Sequence, residues 1–193
     1  MYVNYFTYLM RCKIYLFRHG VTYYNKHHFF TGHIDSRMTK EGIKNAQIIA
    51  KKLKNKRIDV AYSSSLTRSK KTLKEVLKFH PECDKSIVDD RMIERNYGKL
   101  QRHSHKEFVE DMEDLVMKAL EKKYGEMREC HKCGLGESVA QTIYNTFHRS
   151  YTIPPPGGES IKEVEKRVKS FIKDLLKEMR KEKVNVAISA HGN

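Results

Sequence analysis

Short apolar runs alternate along this chain with segments of helical periodicity, and that alternation is its strongest constraint. The runs are Cys12 to Phe17, Ile58 to Ser63, Ser86 to Asp90 and Val184 to Ser189. In the first, Ile14 and Leu16 share one face while Tyr15 and Phe17 share the other, as suits a strand in the middle of a parallel sheet. After a Thr39 cap, Ile43, Ala46, Ala50 and Leu53 recur at helical spacing. Leu73, Val76 and Leu77 do the same within residues 66–79, and His80-Pro81 stops that helix. Ser104 to Glu107 and Ser160 to Glu163 are capping boxes. The first opens a helix on Phe108, Met112, Leu115, Ala119 and Leu120, the second one on Val164, Val168, Phe171, Leu175 and Met179. Residues 137–149 are helical, with Val139, Ile143 and Phe147 on one side. Strand and helix in alternation predict an α/β fold with a largely parallel sheet.

Composition narrows the function classes. The chain has 193 residues with 39% hydrophobic and 32% charged side chains, a size that suits one ordinary domain. No apolar run approaches the ~18 residues of a membrane span. Residues 1–10 have no basic residue and no small-residue cleavage site, so they do not read as a signal peptide. Cys12, Cys83, Cys130 and Cys133 are too few for a disulfide scaffold, which makes a reducing, cytoplasmic setting the default. The net charge of +14 is spread over scattered lysines and reads mainly as solvated surface. Nucleic-acid binding needs a basic stripe with stacking aromatics, and Tyr23-Tyr24 with Lys26 is too little. Cys130-His131-Lys132-Cys133 lacks the second pair of a zinc site and reads as an exposed loop. Pro154-Pro155-Pro156 reads as a connecting loop rather than a polyproline ligand.

In open α/β sheets, ligands gather beyond the carboxyl ends of the strands. Here those ends run into Arg18-His19-Gly20, into Ser63 to Arg68, towards Glu94 to Gly98, and into His191-Gly192-Asn193. Two histidines, two arginines and a glutamate on one rim suit a phosphorylated substrate. A histidine ring nitrogen is able to carry a phosphoryl group covalently. Arg18 and Arg68 supply forked donors to its oxygens. His191, if protonated, adds a third positive donor, and Glu94 suits a general acid for the leaving oxygen. Gly20 is expected to clear space for phosphate to approach the backbone.

Five ordered blocks resemble the histidine phosphatase superfamily, nearest its cofactor-dependent phosphoglycerate mutases. They are Leu16 to Asn25 with Phe30-Thr31-Gly32 and Met38 to Gly42; Tyr62 to Thr72; Glu94 to Gln101; Arg149-Ser150-Tyr151 with the proline run; and Ala190 to Asn193. The resemblance implies a three-layer sandwich with helices on both faces of a mostly parallel sheet. It makes His19 the phosphorylated nucleophile and Glu94 the proton donor, with Arg18, Arg68 and His191 as the phosphate pocket. Asn25, Thr31, Gly32, Tyr97 and Arg149 become substrate contacts. The implied reaction interconverts 3- and 2-phosphoglycerate in glycolysis, primed by 2,3-bisphosphoglycerate and without a metal. A phosphatase of the same superfamily is the alternative, and a non-catalytic phosphate-binding protein on the same fold is the alternative of another class. The partner expected is a small phosphorylated metabolite, with no nucleic acid or membrane; relatives of this kind often form homodimers.

The sequence departs from that pattern in three respects: its cations, its length and its ending. A lysine expected after the Gly-x-Leu-Gln stretch falls on His105, and an arginine pair falls on His148-Arg149. Residues 125–142 look like an insertion. Residues 1–11 form an N-terminal extension to a single domain over 12–193, and the family's C-terminal part is expected to be missing.

Overall fold

The computed structural model describes residues 12–125 and 134–192. The segment with Cys130 and Cys133 lies outside them, as do residues 1–11 and Asn193. The chain divides into two compact units. One holds residues up to Tyr23, His33–Glu94 and Glu163 onward; the other holds Tyr24–Gly32 and Arg95–Lys162.

The first unit is built on four parallel strands, β1 (Ile14–Arg18), β2 (Val60–Ser63), β3 (Lys85–Val88) and β4 (Val186–Ala190), in the order β1-β4-β2-β3. Side chains alternate across the sheet, and each face finds its own helices. Val60, Tyr62, Val186 and Ile188 pack on Phe171, Leu175 and Met179 of α6 (Ile161–Glu182). Ala61 and Ala187 point the other way, towards Ala50 of α2 (Lys40–Leu53) and Leu73 and Val76 of α3 (Thr67–Leu77). The result is an α/β sandwich with a mostly parallel sheet. A fully buried side chain such as Leu175 or Val76 contributes about 1.5–3 kcal/mol relative to exposure.

Sequence pattern and structure differ at instructive points. β1 lies at an edge of the described sheet rather than in its middle, paired only with β4. Its Tyr15 and Phe17 reach the α2–α3 core. Ile14 and Leu16 face the side of the sheet that α6 covers, yet they are 40% and 68% exposed. On α2, Thr39 accepts the amide of Gly42 as a cap, but Ile43 is exposed and Gly42 holds the inward position. A Cβ on Gly42 would run into the backbone of Val21, so the helix turns its smallest residue to that loop. β2 and β3 begin or end within two residues of their expected limits.

In the second unit, α4 (His105–Tyr124) and α5 (Leu135–Arg149) enclose Phe30, Tyr97, Leu100 and Phe108, with Met112, Ile143, Tyr144 and Phe147 at the margin. The capping box forms as expected. Ser104 Oγ accepts the Glu107 amide at 3.1 Å, and the Glu107 carboxylate accepts the Ser104 amide at 3.0 Å. Met117 replaces Leu115 on the buried stripe, and Leu115 and Ala119 are exposed. The short helix α1 (Tyr23–Lys26) joins the two units in sequence. The proline loop is a connection: Pro155 is buried, and Pro156 accepts the amide of Lys99 at 2.9 Å. Arg95, wholly buried, donates Nε to the Glu159 carbonyl at 2.6 Å and Nη1 to that of His148 at 3.0 Å.

Candidate active site

The site grows from the carboxyl ends of β1, β2 and β4. The amide of His19 donates to Ala190 at 3.1 Å, carrying the β1–β4 ladder one residue past the strand. The next amide, Gly20, donates to Thr72 Oγ1 at 3.0 Å, and that hydroxyl donates to the Arg68 carbonyl at 2.9 Å. Helix α3 thereby holds both the loop that carries His19 and the arginine beside it. Gly20 has a packing reason beside the one the sequence suggested. A Cβ there would collide with the Gly42 carbonyl and Met38, so glycine serves the close approach of α2.

The protonation of His19 follows from its partners. Nδ1 lies 2.9 Å from the Gly20 carbonyl, which only accepts, so Nδ1 carries the hydrogen. In a neutral ring Nε2 then has a bare lone pair, and Arg68 Nε donates to it at 3.3 Å. Burial, aided by the charges of Arg68 and Arg18, lowers the pKa of His19 to about 4 against the opposing Gly20 hydrogen bond. The ring is neutral and nucleophilic at neutral pH.

Arg68 is 1% exposed, and its Nη1 donates to the Ile34 carbonyl at 2.9 Å. The start of α3 is held from outside the helix. Asp35 accepts the Thr67 amide at 2.9 Å and its hydroxyl at 2.6 Å, and Asp90 accepts the Ser65 amide at 2.7 Å. Glu94 is buried, and its backbone carbonyl accepts from His33 Nε2 at 2.9 Å and Arg167 Nη2 at 3.1 Å. Nη1 of Arg167 also binds the carbonyls of Arg91 and Ile93, so α6 fixes the turn that presents Glu94.

His191 places Nδ1 4.0 Å from Glu94 Oε2 and its ring centroid 5.2 Å from that of His19. Burial first, then Arg68, His19 and Arg18, lower its pKa to about 2. The third positive donor expected from the sequence is therefore a neutral one. Donor atoms of His19, Glu94 and His191 lie within 4.8 Å of one another, a set a transition metal would accept. A dication there would meet Arg68, 3.3 Å from His19 Nε2, and the charge of Arg18. The electrostatics of this site suit an anion.

Arg18, His19, Arg68, Glu94 and His191 thus come together within the first unit. Asn25, Thr31, Gly32, Tyr97 and Arg149 belong to the second. There Thr31, Gly32 and Tyr97 are buried, Asn25 is half-buried and Arg149 is exposed at the end of α5. Gly32, at φ +52°, packs against the Tyr97 amide and the Gln101 side chain. His105 and His148 pack at a tilt, with ring centroids 5.2 Å apart, beside Phe30 and Tyr144. Desolvation, then His148 and His28, lower the His105 pKa to about 4; desolvation, then Arg149 and Arg95, lower that of His148. Ser64, Thr72, Asp35 and Arg167 were not singled out by sequence, because their roles depend on partners distant along the chain.

A model of the histidine phosphatase superfamily (branch 1) matches residues 14–142 and 118–193. The chain belongs to that family. Among curated relatives, the 2,3-bisphosphoglycerate-dependent phosphoglycerate mutase of Parvibaculum lavamentivorans is 34% identical over 182 residues, covering 92% of this chain and 73% of the relative. Among solved structures, Bacillus stearothermophilus YhfR matches with a TM-score of 0.70 and 22% identity, over 93% of this chain and 73% of its own. A mycobacterial glucosyl-3-phosphoglycerate phosphatase bound to inorganic phosphate matches with a TM-score of 0.67 and 20% identity, over 92% and 72%. Members of the superfamily are enzymes, and the fold is shared across these structures. Among the described residues, no helix is long and apolar enough to cross a membrane.

The buried and half-buried histidines give this member of the family a pH signature. His19, His105, His148 and His191 are held below the ordinary value near 6.5 in the folded state. The unfolded chain binds more protons than the folded one below that value, so stability falls as pH falls from about 6.5 towards 4. The urea midpoint is expected to drop steadily between pH 7 and pH 4.5. A midpoint that stays level across that window contradicts neutral burial of these rings.

Proposed function

We propose that this enzyme transfers phosphoryl groups through a phosphohistidine formed on Nε2 of His19. The observation that supports it most is that nitrogen itself: unprotonated, buried, and accepting from the guanidinium of Arg68. Arg18, Arg68 and Nδ1 of His191 hold the phosphoryl oxygens, and Nε2 attacks phosphorus. The N–P bond forms as the P–O bond breaks, and Glu94 protonates the departing oxygen. A second acceptor, a hydroxyl or water, then takes the phosphoryl group and returns a proton to Glu94.

The first reading of the substrate is 3-phosphoglycerate, with 2,3-bisphosphoglycerate as phosphoryl donor, a cytoplasmic place in glycolysis and a homodimer. It rests on the sequence resemblance and on what the Parvibaculum relative is named for. The substrate-contact roles of Asn25, Thr31, Gly32, Tyr97 and Arg149 rest on that resemblance alone. A phosphatase is the second reading, favoured by one observation. His105 and His148 stand where the mutase pattern has fixed cations, and both are neutral rings. Incubation with 3-phosphoglycerate, with and without 2,3-bisphosphoglycerate, separates the two. A mutase yields 2-phosphoglycerate only when primed, and dominant orthophosphate establishes the phosphatase.

Glu94→Gln tests the proton donor. Its rate on an alkyl phosphate is expected to fall by ~10²–10⁴ with KM nearly unchanged. In phosphoenzyme formation from p-nitrophenyl phosphate, whose leaving group needs no proton, the loss is much smaller. Equal losses on both substrates remove Glu94 from the acid role.

A further inference from the structure

His191 is gripped through one atom. Ser64 Oγ lies 2.8 Å from its Nε2, and Ser64 is wholly buried. The same oxygen accepts the Leu66 amide at 3.3 Å, while the Ser64 amide donates to Ser69 Oγ at 3.2 Å. A serine hydroxyl has a single proton to give. Among the described residues, Nε2 of His191 is the acceptor within reach of this one. The opposite assignment, with Nε2 donating, leaves a hydroxyl proton buried and unpaired, which is costly. Hydrogen-bond accounting therefore places the His191 hydrogen on Nδ1.

That nitrogen is buried and has no hydrogen-bond partner among the described residues. Its side chain is 3% exposed. Nδ1 faces Glu94, on a ring packed at 5.2 Å from that of His19. A buried donor left without an acceptor beside the nucleophile is matched to an oxygen that arrives with the substrate. Ser64 is fixed in turn. Ser69 Oγ donates to the Ser189 carbonyl at 2.7 Å, and Ser189 Oγ donates to the Ser69 carbonyl at 3.0 Å, tying α3 to β4 behind the ring.

We propose that Ser64 is a positioning residue: its hydroxyl donates to Nε2 of His191, locks that ring in the Nδ1–H tautomer and aims the Nδ1 hydrogen at the transferred phosphoryl group. The aiming rests on the phosphohistidine reading, whereas the tautomer does not. Two-bond ¹H–¹⁵N spectra of labelled protein report the tautomer directly, with His191→Gln assigning the signal. The wild-type protein is expected to show His191 as Nδ1–H, Ser64→Ala to lose that preference, and Ser64→Thr, which keeps the hydroxyl, to restore it. With 2,3-bisphosphoglycerate as probe, phosphoryl uptake in Ser64→Ala is expected to fall ~10–100-fold at little-changed KM, and to recover in Ser64→Thr. A wild-type His191 protonated on Nε2 overturns the proposal. So does a tautomer unmoved by Ser64→Ala, or a moved tautomer with undiminished uptake. If the wild-type protein takes up no phosphoryl group, the phosphohistidine reading fails by itself, and the spectra still decide whether Ser64 sets the tautomer.

Discussion

His19→Ala is expected to take up no phosphoryl group and to lose turnover by ~10⁴-fold or more. The Gly20 carbonyl pins the proton on Nδ1, burial keeps the ring neutral, and Arg68 donates to the remaining lone pair. Among the described residues, the other imidazole at the site is His191, whose Nε2 is engaged by Ser64 and whose Nδ1 carries the hydrogen on the accounting above. Its one lone pair is turned to the wholly buried Ser64 hydroxyl, whereas that of His19 is turned to the guanidinium of Arg68. Loss of activity through misfolding is distinguishable by a second readout. Removing a histidine buried in neutral form removes part of the acid sensitivity, so the variant's urea midpoint falls less than that of the wild-type protein between pH 7 and pH 4.5. Residual uptake of label from 2,3-bisphosphoglycerate would place the nucleophile elsewhere.

Arg68→Lys is expected to reduce kcat/KM by ~10²–10³ even though the charge is kept. The guanidinium donates in different directions, to His19 Nε2 and to the Ile34 carbonyl among others, from a side chain 1% exposed. An ammonium has one nitrogen and must be buried with a larger loss of hydration, so it is unable to reproduce that geometry. Electrostatic stabilisation by a well-placed arginine is worth ~10³–10⁵ in related phosphoryl transfers, and a retained charge recovers only part of it. Stability is expected to fall as well, because the Ile34 carbonyl and the adjoining Asp35–Thr67 contact lose their anchor. Activity within threefold of the wild-type protein would mean that Arg68 acts only as a distant charge.

The proposed reacting groups were legible in the sequence because they lie next to the strands that place them. Arg18-His19 and His191 follow apolar runs directly, and a parallel sheet sends all such ends to one rim. Their supports were not legible. Ser64 acts on a residue 127 positions away, and Arg167 holds the Glu94 carbonyl from 73 positions away. Periodicity found the helices but misjudged some faces. Ile43 and Leu115 fit an apolar stripe, yet the neighbouring element reaches Gly42 and Met117 instead. The position of β1 escaped for a similar reason. Its alternating apolar residues look the same whether one face is covered or both, and only the pairing order decides. Gly20 showed the converse, a residue marked as special in the sequence whose closest neighbour, Gly42, only the fold reveals.

The most direct test is to trap the wild-type protein after mixing with 2,3-bisphosphoglycerate and to locate the phosphate by ³¹P spectroscopy and peptide mapping. The expected product is an acid-labile, base-stable phosphoramidate on Nε2 of His19, absent from His19→Ala and diminished in Arg68→Lys. Phosphate on Nδ1, on another residue, or in an acid-stable ester contradicts the mechanism at its centre.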